Sequence, residues 1–197
     1  MRRILLLAIL SLGLGIPSSL LAQSEYNHGE VGAFADYFRL SATNPNSNLV
    51  GVGGRAAFNV STHVAIEGEM SYDFARNYTS TFSNGVTSET VQTRFRLLSG
   101  LFGPKFQAGS SGPVRLFVTG KVGFVNFSST NQGATSGFTS AVNDITTGNT
   151  RVALYPGTGI EGFWGPIGLR LDAGDEIYFS NGARNNLKVE FGPVIRF

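Results

Sequence analysis

The stretch HVAIEGEMSYDF, residues 63–74, puts the tightest constraint on the fold. Val64, Ile66, Gly68, Met70, Tyr72 and Phe74 share one register, and His63, Ala65, Glu67, Glu69, Ser71 and Asp73 share the other. Successive side chains of a strand point to opposite faces, so a period of two means a strand with one apolar and one charged face. A helix would scatter both sets around its circumference. The same pattern returns throughout the chain, whereas helical periodicity is hard to find.

Seven further stretches read as strands: GEVGAFADYFRL (29–40), NLVGVGGRAAF (48–58), TVQTRFRLLSG (90–100), VRLFVTGKVGF (114–124), RVALYPGTGIEG (151–162), PIGLRLDAG (166–174) and NLKVEFGPVIRF (186–197). The two faces of the first of these do not separate cleanly. The connections alternate in length. Asn59–Thr62, Gly109–Pro113 and Trp164–Pro166 are short turns. Ser41–Asn48, Ala75–Thr90, Ser128–Asn149 and Asp175–Asn185 are longer and rich in Ser, Thr, Asn and Gly. Eight strands with alternating short and long links predict an antiparallel up-and-down barrel that crosses a bilayer, with short periplasmic turns and longer extracellular loops.

The N-terminus supports export. Arg2 and Arg3 precede an apolar run from Ile4 to Leu14, broken at Gly15 and Pro17, and Ser18 to Ala22 follow. That is a secretory signal peptide, with cleavage expected after Ala22 and a barrel domain over 23–197. The run is too short to span a membrane as a helix, and no later apolar run reaches the length a helix needs. Of the 15 Lys and Arg residues, removing Arg2 and Arg3 leaves 13 against 13 Asp and Glu, so the mature chain is neutral. Its basic pI of about 9.1 rests largely on the discarded leader and gives no argument for nucleic acid. Without cysteine there is no disulfide, thiolate site or lipid anchor on Cys, and His28 and His63 are the only histidines. No metal, nucleotide or cofactor site is legible: GTGIEG and GVGGRA place glycines in strands, without the helix a phosphate loop requires.

Alternation alone does not say which face is inside. A soluble barrel buries the apolar face, and a membrane barrel turns it to lipid. Glycines decide. Gly51, Gly53, Gly100, Gly123, Gly157, Gly159, Gly168, Gly174 and Gly192 share the charged registers. Small residues are needed where eight strands crowd a narrow interior, and a solvated face gains nothing from them. The charges agree. Arg55, Arg94, Arg96, Lys121, Arg170, Lys188 and Arg196 oppose Glu67, Glu69, Asp73, Glu161, Asp172 and Glu190. Seven against six is the near-balance a desolvated interior requires, so these residues are expected to form a lumen charge network. Pro156 lies within a strand and should mark a bulge or the rim, because a closed barrel has no edge to hide a missing N–H.

The pieces LLSGLFGPKF, VRLFVTGKVGF, LYPGTGIEGF and NLKVEFGPVIRF resemble the small eight-stranded outer-membrane barrels of the OmpA-like outer membrane protein beta-barrel domain family. The resemblance covers essentially all of the mature chain. It implies a cell outer membrane location, contact with outer-membrane lipid and lipopolysaccharide, and insertion by the barrel-assembly machinery. That machinery would read the apolar register of the last strand, Phe191, Ile195 and the terminal Phe197. Chain after Phe197 is lacking, so the peptidoglycan tether of two-domain relatives is not expected.

The fold does not supply a function. The leading expectation is a non-enzymatic barrel, structural or binding an unknown surface ligand through its loops, with Phe82 and Phe138 as aromatic contacts. A small ion-conducting pore through the charged lumen is the alternative. Two readings stand further back. A lipid A deacylase-like enzyme would want a His-x-Ser-Asn motif, but Tyr178, Phe179, Ser180 and Asn181 put Tyr in the His position, and His63 maps to the opposite end. A soluble lipocalin-like binder would want the apolar face inside.

Overall fold

The computed structural model describes residues 27–41, 47–83, 88–109, 112–132, 150–180 and 182–197; the expected leader lies outside them. They form ten strands: β1 Gly29–Leu40, β2 Ser47–Asn59, β3 Val64–Ser83, β4 Ser88–Gln107, β5 Val114–Gln132, β6 Thr150–Trp164, β7 Ile167–Asp175, β8 Ile177–Phe179, β9 Ala183–Arg184 and β10 Leu187–Arg196. β1 to β7 and β10 pair antiparallel in succession, β5 pairs with β6, and β10 closes on β1. This is the eight-stranded closed barrel that the alternation predicts. β8 and β9 are an addition the sequence reading missed. They form a small hairpin within the last long connection, and β8 continues the sheet along β6 where β7 has ended.

Burial fixes the sense of the barrel. Val52, Met70, Phe102, Leu116, Val118 and Phe191 lie on the outer wall at 49–62 % exposure, while Glu67, Asp73, Lys105, Glu161, Asp172, Lys188 and Glu190 are 0 % exposed. A soluble protein cannot gain from that inversion, since apolar surface is driven out of water. Lipid on the outside accounts for it, and the lipocalin-like reading fails here. Phe58, Phe106, Trp164 and Phe197 ring the wall at the short-turn end, and Tyr37, Tyr72 and Phe74 lie towards the loop end, as interfacial girdles do.

The barrel closes on its last residue. The Gly29 N–H donates to the Phe197 carbonyl and the Phe197 N–H to the Gly29 carbonyl, each at 2.9 Å. The Phe197 ring lies over Gly29, where a Cβ would come within 2.7 Å of it. No edge is left at the seam, which a bilayer could not solvate.

Prolines in strands each sit beside an interruption of one ladder. β6 pairs with β5 through Pro156 without a break, but on its other side the β7 ladder stops at Gly157/Gly174 and β8 takes over at Leu154/Ile177. Pro104 falls in the gap between Phe102/Val122 and Lys105/Thr119, and Pro193 in the gap between Gly32/Val194 and Ala35/Phe191. A missing N–H removes a ladder bond, and the chain places it where the ladder already gives way. Thr119 Oγ1 donates to the Pro104 carbonyl at 2.9 Å and covers part of that gap.

Three strands outrun the barrel. β3 and β4 have 20 residues each and β5 has 19, so most of the expected loop Ala75–Thr90 and the start of Ser128–Asn149, as far as Gln132, are strand. A tilted strand crosses a bilayer in about 9–11 residues. The β2–β3 ladder ends at Gly51/Asp73, and the β3–β4 ladder shifts register between Asp73 and Arg76. A bulge at the point where β3 loses its neighbour bends the hairpin as it leaves the rim.

Candidate functional site

The barrel interior carries most of the buried polar chemistry. At the short-turn end, Glu30 on β1, Lys105 on β4, Arg115 on β5 and Glu161 on β6 form a ring of alternating charge. Lys105 Nζ lies 3.0 Å from Glu161 Oε1 and also binds Glu30, while Arg115 Nη2 lies 2.7 Å from Glu161 Oε2 and also binds Glu30. Gln107 and Asn59 finish that end, with Gln107 Nε2 donating to Asn59 Oδ1 at 3.1 Å.

Above this ring, Arg170 on β7 holds three acids at once: Glu67 at 2.5 Å, Asp172 at 2.7 Å and Glu161 at 3.2 Å. Lys121 on β5 spans Glu67 at 2.6 Å and Glu69 at 2.5 Å. Arg55 on β2 reaches Glu190 at 2.9 Å and Asp172 at 3.4 Å. Bidentate guanidinium contacts of this kind are shorter and stronger than neutral hydrogen bonds. Higher still, Lys188 on β10 lies 3.1 Å from both Glu176 and Glu190, 3.7 Å from Glu69 and 4.0 Å from Asp36. It also donates to the Ser71 and Ser99 hydroxyls, which are 2.8 Å apart.

Inward glycines act with these charges. A Cβ at Gly53 would strike the Phe34 ring, one at Gly159 the Phe117 ring, one at Gly168 the Phe163 ring, and one at Gly157 or Gly174 the Tyr155 ring. Each ring in turn carries a cation on its face. Arg55 lies 4.3 Å from the Phe34 centroid, Arg170 4.1 Å from Phe117 and Arg115 4.4 Å from Phe163. The glycine makes room for the ring, the ring supports the cation, and the cation reaches the acids. Desolvated cation–π contacts contribute about 2 kcal/mol each.

Towards the loop end the lumen turns apolar. Phe38, Leu40, Leu49, Leu97, Leu101, Val125, Phe127, Ala153, Tyr155 and Tyr178 pack into one buried cluster. Tyr178 comes from the added hairpin and meets Phe127 edge-on, with centroids 4.8 Å apart. The charged interior thus gives way to a buried apolar cluster towards the loop end.

The expected network assembles in part. Arg55, Glu67, Glu69, Asp73, Lys121, Glu161, Arg170, Asp172, Lys188 and Glu190 are all buried inside. β4 departs from expectation. Its inward series is Leu97, Ser99, Leu101, Gly103, Lys105 and Gln107, so Arg96, half-buried, and the backbone position of Arg94 belong to the outward series. The Arg94 side chain lies outside the described residues, as do those of Phe82 and Phe138. The reason is the plug: β4 places Leu97 and Leu101 inside, which forces its arginines out. Gly100 is outward too, since its Cβ would meet the exposed Phe124 ring. Arg196 lies at the short-turn rim, donating to the carbonyls of Gly165 at 3.0 Å and Gly112 at 3.2 Å.

The near-balance of charge is also corrected. Among the described residues nine acids are buried (Glu30, Asp36, Glu67, Glu69, Asp73, Glu161, Asp172, Glu176 and Glu190) against six bases (Arg55, Lys105, Arg115, Lys121, Arg170 and Lys188), a surplus of three. Glu30, Asp36, Lys105, Arg115 and Glu176 were absent from the expected network. Arg115 was already in a polar register in the sequence, whereas β1 offered two mixed faces and hid Glu30 and Asp36.

The residues of the enzyme reading do not meet. Tyr178 is in the plug, while His63 lies in the β2–β3 turn at the other end, 2.7 Å from Thr62 Oγ1. Asn181 lies outside the described residues.

No protein-family model matches the chain, and no curated protein does. Solved structures do match. Neisserial surface protein A is 14 % identical with a TM-score of 0.59, covering 86 % of this chain and 97 % of its own. Ail, the attachment invasion locus protein of Yersinia pestis, was solved with the heparin analogue sucrose octasulfate. It is 15 % identical with a TM-score of 0.50, covering 87 % of this chain and 97 % of its own. The chain is similar to these barrels in fold.

Proposed function

We propose that this chain is a non-enzymatic β-barrel of the cell outer membrane that binds a surface ligand with the structure it raises above the bilayer. The observation that carries the reading is the sheet of β3, β4 and β5, whose strands are about twice as long as a crossing needs. Among the described residues, no strand pairs with β3 beyond Asp73 on the β2 side or with β5 beyond Asn126 on the β6 side. Such edges present unpaired backbone groups and can accept a further extended strand. The plugged lumen supports this reading over a pore. Outer-membrane location, contact with lipopolysaccharide and recognition of Phe191, Ile195 and Phe197 by the assembly machinery belong to the same proposal.

The test has two parts. The folded barrel, verified by its heat-dependent gel shift, is inserted into a planar bilayer, where silence is expected. Steady openings that change in Glu67→Gln would put the pore reading first. Intact cells displaying the protein are then compared with cells displaying a version trimmed of residues 78–93, for adhesion to immobilised matrix proteins and sulfated glycans. Loss of adhesion on trimming is expected. Equal adhesion would move the search away from this hairpin.

A further inference from the structure

At the loop-end mouth the charge changes sign. Arg151 on β6 and Arg184 on β9 lie there, and unlike the bases in the lumen they have no acid to serve. Among the described residues neither guanidinium makes an ion pair or a hydrogen bond. Arg184 is exposed and Arg151 is half-buried.

Strand pairing puts both on the lumen side. Arg184 is directly opposite Tyr178, and Tyr178 is directly opposite Ala153. Residues directly opposite each other share a face of the sheet, and Tyr178 and Ala153 both belong to the buried plug. Arg151 is two residues from Ala153 along β6 and so shares that face. Strand spacing and rise set the two Cα atoms about 12 Å apart, on either side of Tyr178. Two extended arginines can meet on one group across such a gap. Both of their charges act on the Tyr178 side chain between them.

The platform is held in place. Asn186 Nδ2 donates to the carbonyls of Glu176 at 2.9 Å and Arg184 at 3.0 Å, and its Oδ1 accepts the Ser41 N–H at 3.1 Å. That clasp fastens the β8–β9 hairpin to the connection after β7 and to the end of β1, and Tyr178 rests on Phe127. The nearest described acids are committed elsewhere. Glu176 is fully buried and pairs with Lys188 at 3.1 Å, and Asp175, opposite the exposed Leu187 on the outward series, accepts the Asn186 N–H at 2.7 Å.

This arrangement selects the chemistry of a ligand. A guanidinium fork takes two acceptor oxygens. A carboxylate has two in all, whereas a sulfate or phosphate ester presents three and can serve both forks. Lipid headgroups surround the outer wall, but these arginines face the mouth, so the ester arrives from outside the membrane. We propose that Arg151 and Arg184 form an oxyanion subsite over the plug, taking a sulfate or phosphate ester carried on a sugar. The inference rests on the surface-binding reading and names a ligand class for it, on strands other than β3 and β4.

Titration calorimetry of the folded barrel in phosphatidylcholine nanodiscs tests this. The probes are one oligosaccharide in sulfated, phosphorylated and unmodified form, and every variant is first checked by its heat-dependent gel shift. The two esters should bind and the unmodified sugar should not. Arg151→Gln and Arg184→Gln should each weaken binding about tenfold or more, as the loss of a charge-assisted contact does. Lysine at either position should recover only part, since it keeps the charge and loses the fork. Arg39→Gln, exposed on the outer series of β1 at the same end, should leave binding unchanged. Trimming residues 78–93 should also leave it unchanged, so this subsite and adhesion through the long hairpin fail separately. Equal binding of the unmodified sugar, or none of either ester, overturns the proposal. So does tighter binding of an acidic peptide, or a loss in Arg39→Gln as large as in Arg184→Gln, which would put the anion at the lipid rim.

Discussion

The two halves of the lumen are built from the same residue types and differ in how they are finished. In the short-turn half, Glu30, Glu67 and Glu161 meet Lys105, Arg115 and Arg170 one for one. In the half nearer the loops, the described side chains set Asp36, Glu69, Asp73, Asp172, Glu176 and Glu190 against Arg55, Lys121 and Lys188, with Arg170 also reaching Asp172 and no described base pairing with Asp73. In the first half every acid finds a base. The second is short of cations and is covered by hydrocarbon, from Phe38 and Leu49 to Phe127 and Tyr178. A buried charge is tolerated only when it is paired and hydrogen-bonded. The lower half therefore supplies electrostatic rigidity, and the upper half closes the barrel and concentrates unsatisfied acid beneath the closure.

Substitutions should separate the halves. Arg170→Met is expected to have the largest effect, because it takes a cation from Glu67, Glu161 and Asp172 at once. The expected loss is about 3–5 kcal/mol, read by urea unfolding from vesicles. An effect below about 1 kcal/mol would mean that water enters the lower half and that the pairing is not what holds it. Leu49→Ala comes next, with a loss of about 2–4 kcal/mol from the cavity left in the plug. The same variant measured in a planar bilayer sharpens the comparison. Conductance appearing there but not in Arg170→Met would assign closure to the plug, and the reverse would assign it to the ion pairs. Ser99→Ala removes one hydroxyl from the pair beneath Lys188 and should cost about 1 kcal/mol. Asp73→Asn should have the smallest effect at neutral pH, within about 1 kcal/mol of the wild type, since it removes a surplus acid and keeps its shape. A loss comparable with that of Arg170→Met would show that the two halves obey the same rule.

The lipid-facing wall was readable because it repeats. Val114 to Phe124 and Leu187 to Phe197 show their outer residues at every second position, and those residues are exposed where expected. The same reading failed on β4 and β1. TVQTRFRLLSG offers Arg94 and Arg96 in one register and Phe95 and Leu97 in the next, and a rule that sends polar residues inward chooses wrongly there. That rule assumes one kind of lumen along its whole length. It has no means of seeing that the loop end is plugged with hydrocarbon, so that Leu97 belongs inside and Arg96 outside. GEVGAFADYFRL hid Asp36 for the same reason, because Phe34 and Phe38 share its register and are buried with it. The β8–β9 hairpin had no chance of being seen. Its strands are three and two residues long, and β8 exists because β6 continues past the end of β7.

The sequence by itself determined the class of the molecule. Period-two alternation, alternating link lengths and glycines in the charged registers allow a closed barrel with lipid outside, because each of those signals is local and recurs along the chain. Only the tertiary structure decided which charges meet. Asp36, Gly51 and Asp73 are spread over more than thirty positions of chain and become neighbours through the stagger of three strands. Register and shear are properties of the closed sheet as a whole. The pairing of acids with bases, the surplus left over and the plug above it follow from that closure.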